Sequence, residues 1–150
     1  MNKSQIRLLH NRGHVIGAHS DTHPDVFYRL PYATMLQEWR KSKSILEDII
    51  ADTVTCASVP GGEMNENTWL SSAESGIGYL FCSEPFLTPK RNDNWLLGRV
   101  WPKQGTEYNK ITKFINLKGY SDEMSVRKIK NIVKRIYYQL KDILKLNKYE

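Results

Sequence analysis

The chain has 150 residues, 40% of them hydrophobic and 11% aromatic, a composition typical of one globular domain and not of a disordered segment. It contains no apolar run of about 18 residues and begins with a polar, basic segment, so we expect neither a membrane-spanning helix nor a signal peptide, and a cytoplasmic or membrane-peripheral location. Of the net charge of +6, residues 121–150 supply +4, with eight Lys/Arg against four Asp/Glu.

Apolar periodicity and turn residues predict alternating helices and strands. In chain order we expect a helix at 4–11, a strand at 15–18, a connection at 25–31, a helix at 32–51, a strand at 53–59, a helix from Asn65 or Asn67 to Glu74, a strand at 77–82, a loop at 83–94, a strand at 95–101, a weak helix at 106–117 and a long helix at 121–148. This order predicts an α/β fold with parallel strands and crossover helices. Cys56 and Cys82 lie in apolar runs, which favours buried thiols over a disulfide.

The long helix at 121–148 has an apolar stripe and a basic remainder, with Ser121 as its expected N-cap. The interpretation we favour is an amphipathic helix docked on the domain with its basic face in water. The alternative is a helix that lies on an anionic membrane surface or binds another chain. No nucleic-acid-binding motif accompanies the charge, so we expect no nucleic-acid partner.

Two histidines, His19 and His23, follow the predicted strand at 15–18 and lie four residues apart. Pro24 disfavours helical geometry at His23, so the pair belongs to a loop. Neutral imidazole is the commonest side-chain ligand of zinc, but a catalytic site needs about three protein ligands, so two histidines alone are an incomplete site. On spacing alone, two loop histidines that bond to the backbone remain the alternative.

Residues 13–24, GHVIGAHSDTHP, resemble the second motif of the NodB-type polysaccharide deacetylases. The family pattern is His-(Ser/Thr)-x-x-His, usually preceded by Gly-His-x-Ile-Gly. The resemblance implies that His19 and His23 bind a divalent metal ion, most often zinc.

Residues 58–62, SVPGG, are similar to the family's third motif, Arg-x-Pro-(Tyr/Phe)-Gly. Pro60 and Gly62 match and are expected to contact substrate, whereas Ser58 replaces the usual arginine and Gly61 the usual aromatic residue. The resemblance implies that the Gly61 backbone N–H helps to hold the oxyanion. Without the resemblance, Pro-Gly-Gly predicts only a tight turn.

The chemistry implied by the resemblance is metal-assisted hydrolysis of N-acetyl groups on a glycan, with an aspartate as general base and a histidine as general acid. The family's Thr-Phe-Asp-Asp and Leu-x-His motifs are absent from this sequence, whose histidines are His10, His14, His19 and His23. Asp21, Glu63 and Glu84 are the carboxylates nearest the motifs, and spacing selects none of them. Arg99 resembles an arginine that related deacetylases have near the end of the domain.

The resemblance covers 5–117 and implies a partial, distorted (β/α) barrel. We therefore expect an N-terminally truncated deacetylase domain at 1–117 and a basic helix at 118–150. The expected function is metal-dependent removal of N-acetyl groups from a polysaccharide or oligosaccharide. The alternative is a non-catalytic remnant that binds glycan, a membrane surface or a partner chain.

Overall fold

The computed structural model describes residues 1–84, 86, 88–99, 102, 104–116 and 118–146. The helices are α1 (Lys3–Asn11), α2 (Tyr32–Ile50), α3 (Glu66–Glu74), α4 (Tyr108–Ile115) and α5 (Tyr120–Leu146), with a short 3-10 helix at Phe27–Arg29. The strands are β1 (Cys56–Ser58), β2 (Tyr79–Phe81), β3 (Lys90–Arg91) and β4 (Trp95–Leu97).

The strands form one mixed sheet in the order β1-β2-β4-β3. Strands β1, β2 and β4 are parallel, and β3 pairs antiparallel with β4. The predicted α/β fold with parallel strands and crossover helices is therefore confirmed. The antiparallel strand was not predicted, because Lys90 and Arg91 are exposed and have no apolar pattern.

The predicted strand at 15–18 is reduced to a single parallel bridge between Ala18 and Ala57. Ala18 is 1% exposed, whereas Val15 is 80% exposed, so the apolar run is not buried along its length. The segment still extends the sheet beyond β1, since the Ala18 N–H donates to the Cys56 carbonyl and the Ser58 N–H donates to the Ala18 carbonyl, both at 2.9 Å.

The helix ends follow the capping residues of the sequence. Asn65 caps α3 by accepting from the Thr68 N–H at 2.9 Å, as one of the two predicted alternatives required. Helix α1 ends before Gly13, whose φ of +86° is left-handed. Helix α5 begins at Tyr120, so the predicted cap Ser121 lies inside the helix and not at its cap position.

Several predicted ends differ from the observed ones. The strands predicted at 53–59 and 77–82 are shorter than expected, and α4 begins at Tyr108 instead of Thr106. The predicted ends at Trp101, Leu117 and Lys148 lie outside the described residues.

The core of the first part of the chain lies between α2, α3 and the sheet. Trp39 is fully buried and packs against Phe27, with the ring centroids 4.6 Å apart and the planes tilted by 47°. Its indole nitrogen donates to the Ser71 hydroxyl at 3.2 Å. Ile45 of α2 is 43% exposed although it is apolar, whereas Ser42 is buried. The buried positions Met35, Trp39, Ser42 and Ile49 follow a helical stripe that passes Ile45 by.

The chain divides into two compact units. The first comprises 1–83 and 87–99, and the second comprises 84–86 and 100–150. The predicted domain boundary at 117/118 stays a prediction. Neither cysteine forms a disulfide, and Cys82 is buried and Cys56 half-buried. Among the described residues, no helix is both long enough and apolar enough to cross a membrane.

Candidate functional site

The carboxyl ends of neighbouring parallel segments bring together the two stretches of the sequence with predicted chemistry. His19 directly follows the bridge at Ala18, and the loop Pro60-Gly61-Gly62 follows β1 closely. Loops at this edge of a parallel sheet are where α/β proteins place their functional residues. The histidine pair and the glycine loop therefore belong to one edge of the first unit.

The His19 ring is oriented by Ser58. Its Nδ1 lies 2.7 Å from the Ser58 carbonyl oxygen and 2.8 Å from the Ser58 hydroxyl. Because a carbonyl oxygen only accepts, this contact places the proton on Nδ1 and leaves the lone pair on Nε2. This is the arrangement of a metal-binding histidine, whose second ring nitrogen donates to a carbonyl or carboxylate.

The loop at 20–23 turns the second histidine back toward the first. Ser20 and His23 have positive φ values of 64° and 51°, and the His23 N–H donates to the Ser20 hydroxyl at 3.1 Å. The two imidazole rings lie 5.1 Å apart, centroid to centroid, with their planes tilted by 55°. Positive φ is uncommon outside glycine, so surrounding contacts must hold this loop.

Glu38 on α2 supplies those contacts. One oxygen of its carboxylate accepts from the N–H groups of Asp21 and Thr22, both at 2.9 Å, and the other accepts from the Thr22 hydroxyl at 2.8 Å. Lys41, one turn further along α2, lies 2.6 Å from the Asp21 carboxylate. The hydrogen bond to Asp21 raises the pKa of Lys41 above its usual value, the attraction of the same carboxylate adds to it, and desolvation opposes it.

The carboxylates nearest the motifs do not complete a metal site with the histidines. Asp21 is paired with Lys41. Within the described parts of the chain, no group of three or more His, Cys, Asp or Glu side chains could hold a metal ion. Asp21, Glu63 and Glu84 are therefore not gathered around His19 and His23 as a third ligand.

The glycine loop is built on two left-handed residues. Gly61 has φ +67° and is exposed, and Gly62 has φ +77° and is buried. The Gly62 N–H donates to the Val59 carbonyl, and the Gly62 carbonyl accepts from the Ser83 N–H, both at 2.9 Å. The Gly61 N–H has no hydrogen bond to another described residue, so its donor is available to a ligand.

The two histidines suit a divalent ion, of which they would supply two ligands. Neutral imidazoles are the nitrogen ligands that zinc prefers, the His19 tautomer is the one that such a ligand requires, and the rings are close enough to share one ion. Pro60 is buried, as is Gly62, and the assignment of both to substrate binding stays a prediction. Arg99 follows β4, and its likeness to the arginine of related deacetylases also stays a prediction from the sequence.

Two residues that organise the site were not found by sequence reasoning. Glu38 lies on helix α2, and no spacing rule connects it to a loop 16 residues away. Ser58 was recorded as a departure from the family pattern, whereas the structure shows it bonded to His19. Ser58 lies inside the motif at 58–62, which was the available sequence signal, whereas nothing in the sequence connected Glu38 to a motif.

Comparisons with known proteins give the family and the fold. A sequence model of polysaccharide deacetylases matches residues 1–80. No curated protein matches this chain significantly.

Several solved structures resemble this chain, and three are described here. The first is a de-N-acetylase from Aggregatibacter actinomycetemcomitans, with 16% identity and a TM-score of 0.64 over 76% of this chain and 53% of that one. The second is a protein from Mycobacterium smegmatis assigned to the polysaccharide deacetylases, with 23% identity and a TM-score of 0.58 over 67% of this chain and 36% of that one. The third is the Streptococcus pyogenes deacetylase PplD, with 18% identity and a TM-score of 0.53 over 56% of this chain and 37% of that one.

At these identities the structures establish the fold alone, and this chain spans about half or less of their length. The family assignment rests instead on the sequence model, which covers more than half of the 150 residues. The chain belongs to the polysaccharide deacetylase family.

Proposed function

We propose that this chain acts in the removal of N-acetyl groups from a polysaccharide or oligosaccharide, with His19 and His23 as ligands of a divalent ion, most simply zinc. The observation that supports this most directly is the His19 ring, held by Ser58 in the tautomer that leaves the lone pair on Nε2. A pair of histidines that served only to bond the backbone would not need His23 to adopt a positive φ beside it.

The metal ion, when bound, polarises the acetyl carbonyl and activates water for attack. The part of this chain is to hold the ion through two imidazoles and to offer the Gly61 N–H to the oxygen on which negative charge develops. Because a backbone donor does not depend on the side chain, glycine in place of the family's aromatic residue preserves this role. The third ligand and the proton-transfer groups must come from residues not gathered at the described site.

The test is calorimetric titration of the whole chain with zinc, together with acetate release from N-acetylglucosamine oligomers. We expect zinc binding that is lost in His19→Ala and in His23→Ala. His14→Ala, an exposed histidine in the same segment, is the matched control and should bind zinc as the unaltered chain does.

The outcomes separate the two functions that the sequence left open. Zinc binding with acetate release that both disappear in His19→Ala supports the deacetylase. Zinc binding without acetate release supports the alternative, a non-catalytic member that binds glycan, a membrane surface or a partner chain. Zinc binding that survives both histidine substitutions would contradict the proposed metal site.

A further inference from the structure

Helix α5 has an exposed stripe of large apolar side chains. Seven of them are between 49% and 63% exposed: Val126, Ile129, Ile132, Val133, Ile136, Tyr137 and Leu140. Positions 126, 129, 133, 136 and 140 alternate steps of three and four, which places them along one side of a helix. The stripe extends over about four helical turns and is contiguous.

The half-buried side of α5 is a different one. Met124, Arg127, Asn131 and Tyr138 are half-buried, and the Asn131 amide lies 3.4 Å from a carboxylate oxygen of Glu84. At about 100° per residue, this set and the apolar stripe are centred on opposite sides of the helix. The half-buried side of α5 is therefore mostly polar, and the apolar stripe is uncovered.

An uncovered stripe of this kind requires an occupant. Most of the stability of a helix in a protein comes from packing of its apolar face, and a contiguous exposed apolar patch marks an interaction surface. The charges beside the stripe restrict what that occupant is. Between Met124 and Lys141 the sequence has six Lys or Arg and no Asp or Glu.

This charge pattern disfavours a second copy of the helix. Two copies joined along the stripe would bring the basic residues of one helix close to those of the other, and the same stretch of sequence has no Asp or Glu to offset their charge. An anionic lipid surface satisfies both features, because it accepts apolar side chains at the depth of the acyl chains and basic ones at the headgroups. Tyr137, with an apolar ring and a polar tip, suits that boundary.

We propose that α5 is a docking helix for an anionic lipid surface, with the stripe from Val126 to Leu140 inserted among the lipids and Lys130, Lys134 and Lys141 at the headgroups. This inference goes beyond the proposed deacetylation and does not depend on metal binding.

The experiment is co-sedimentation of the whole chain with large unilamellar vesicles of phosphatidylcholine containing roughly 30% phosphatidylglycerol, compared with vesicles of phosphatidylcholine alone. Each Lys near an anionic surface contributes about 1 kcal/mol, so Lys130→Gln/Lys134→Gln/Lys141→Gln should weaken partitioning by at least about tenfold. Val133→Asp/Ile136→Asp should abolish it, since both charges would enter the acyl region.

The matched control is Lys3→Gln/Lys113→Gln/Lys118→Gln, which changes the net charge equally at exposed lysines outside α5. It should lose far less binding than the α5 triple variant. Because the substituted α5 residues are exposed, far-ultraviolet circular dichroism without vesicles should show all variants folded.

Three outcomes would overturn the proposal. The first is the absence of vesicle binding. The second is a lack of selectivity: equal binding to neutral and anionic vesicles, or an equal loss of vesicle binding in the two triple variants. The third is a dimer in sedimentation velocity that Val133→Asp/Ile136→Asp dissociates while vesicle binding stays unchanged, which would assign the stripe to a second copy of the chain.

Discussion

The Nδ1 of His19 lies 2.7 Å from the main-chain oxygen of Ser58, a residue 39 positions away in the sequence. The contact exists because Ala18 and Ala57 are paired in parallel, so the residues that follow them leave the sheet side by side. The sheet pairing thus fixes the orientation of an imidazole in a loop. Because the main chain supplies one of the two acceptors, part of this orientation is independent of the side chain at position 58.

Replacement of Ser58 by alanine tests how the two contacts share this role. We expect Ser58→Ala to weaken zinc binding by less than about tenfold, because the carbonyl still accepts from Nδ1. Complete loss of an outer-shell partner typically costs about tenfold or more. Calorimetry gives the affinity, and nitrogen-15 shifts of the His19 ring give the tautomer without metal. A ring that carries its proton on Nε2 in the unaltered chain would contradict the assignment.

Local signals in the sequence predicted much of this fold. The cap at Asn65 and the helix end before Gly13 are local features, and the order of helices and strands predicted the parallel sheet. The extent of the strand at 15–18 was wrong, because burial of Val15 depends on what covers it and not on its own hydrophobicity. Local pattern does not carry that information.

The site shows the same division. The sequence identified the histidine pair and the glycine loop through their motifs, which are contiguous. It missed Glu38, whose contact with the loop depends on how α2 packs against that loop. A solvent-facing glutamate on an amphipathic helix has the same local pattern whether or not its carboxylate has backbone partners.

Removal of the Glu38 carboxylate should loosen the loop between the histidines. Glu38→Ala eliminates the acceptors of the Asp21 and Thr22 N–H groups, so Ser20 and His23 are no longer held at positive φ. We expect zinc affinity to fall by about tenfold, the lower end for an outer-shell residue. Faster amide hydrogen exchange at residues 21–23 should accompany the loss.

The control for this prediction is Gln37→Ala, the neighbouring exposed residue on α2. It should leave both zinc affinity and loop exchange unchanged. Weaker zinc binding in Glu38→Ala with unchanged exchange in the loop would show that Glu38 acts through its charge and not by positioning the loop.

The two adjacent glycines of the loop at 60–62 should differ in their tolerance of alanine. Both have positive φ, which costs an L residue about 1–2 kcal/mol. A Cβ at Gly61 meets no atom within 4 Å, whereas a Cβ at Gly62 would overlap the Ser83 side chain. Overpacking adds about 1–3 kcal/mol, so Gly62→Ala should destabilise the chain clearly more than Gly61→Ala.

Urea unfolding of the two variants measures this difference. Gly61→Ala retains the N–H assigned to the oxyanion, so zinc affinity should also persist in that variant. Equal destabilisation by the two substitutions would mean that the loop moves away from Ser83 at little cost.

The last prediction concerns Glu47, which lies near the end of α2 and contacts the segment that precedes β1. Its carboxylate accepts from Lys43 at 2.6 Å and from the Val54 N–H at 3.0 Å. The hydrogen bond from Lys43 lowers the pKa of Glu47 below its usual value of 4.5, the Val54 N–H lowers it further, and partial burial opposes both. The charged form is therefore stabilised more in the folded chain than in the unfolded one.

A lowered folded pKa gives stability that is fully present above the unfolded pKa and is lost as the pH falls through the folded value. Glu47→Gln keeps an acceptor oxygen but removes the charge, so at pH 7 it should reduce the free energy of unfolding by about 1 kcal/mol. The difference from the unaltered chain should shrink as the pH falls below 4.5. Asp48→Asn, at the next and exposed position, should have little effect at either pH. A Glu47→Gln deficit that stayed constant between pH 7 and about pH 3 would show that packing, and not the charge, makes this contact stabilising.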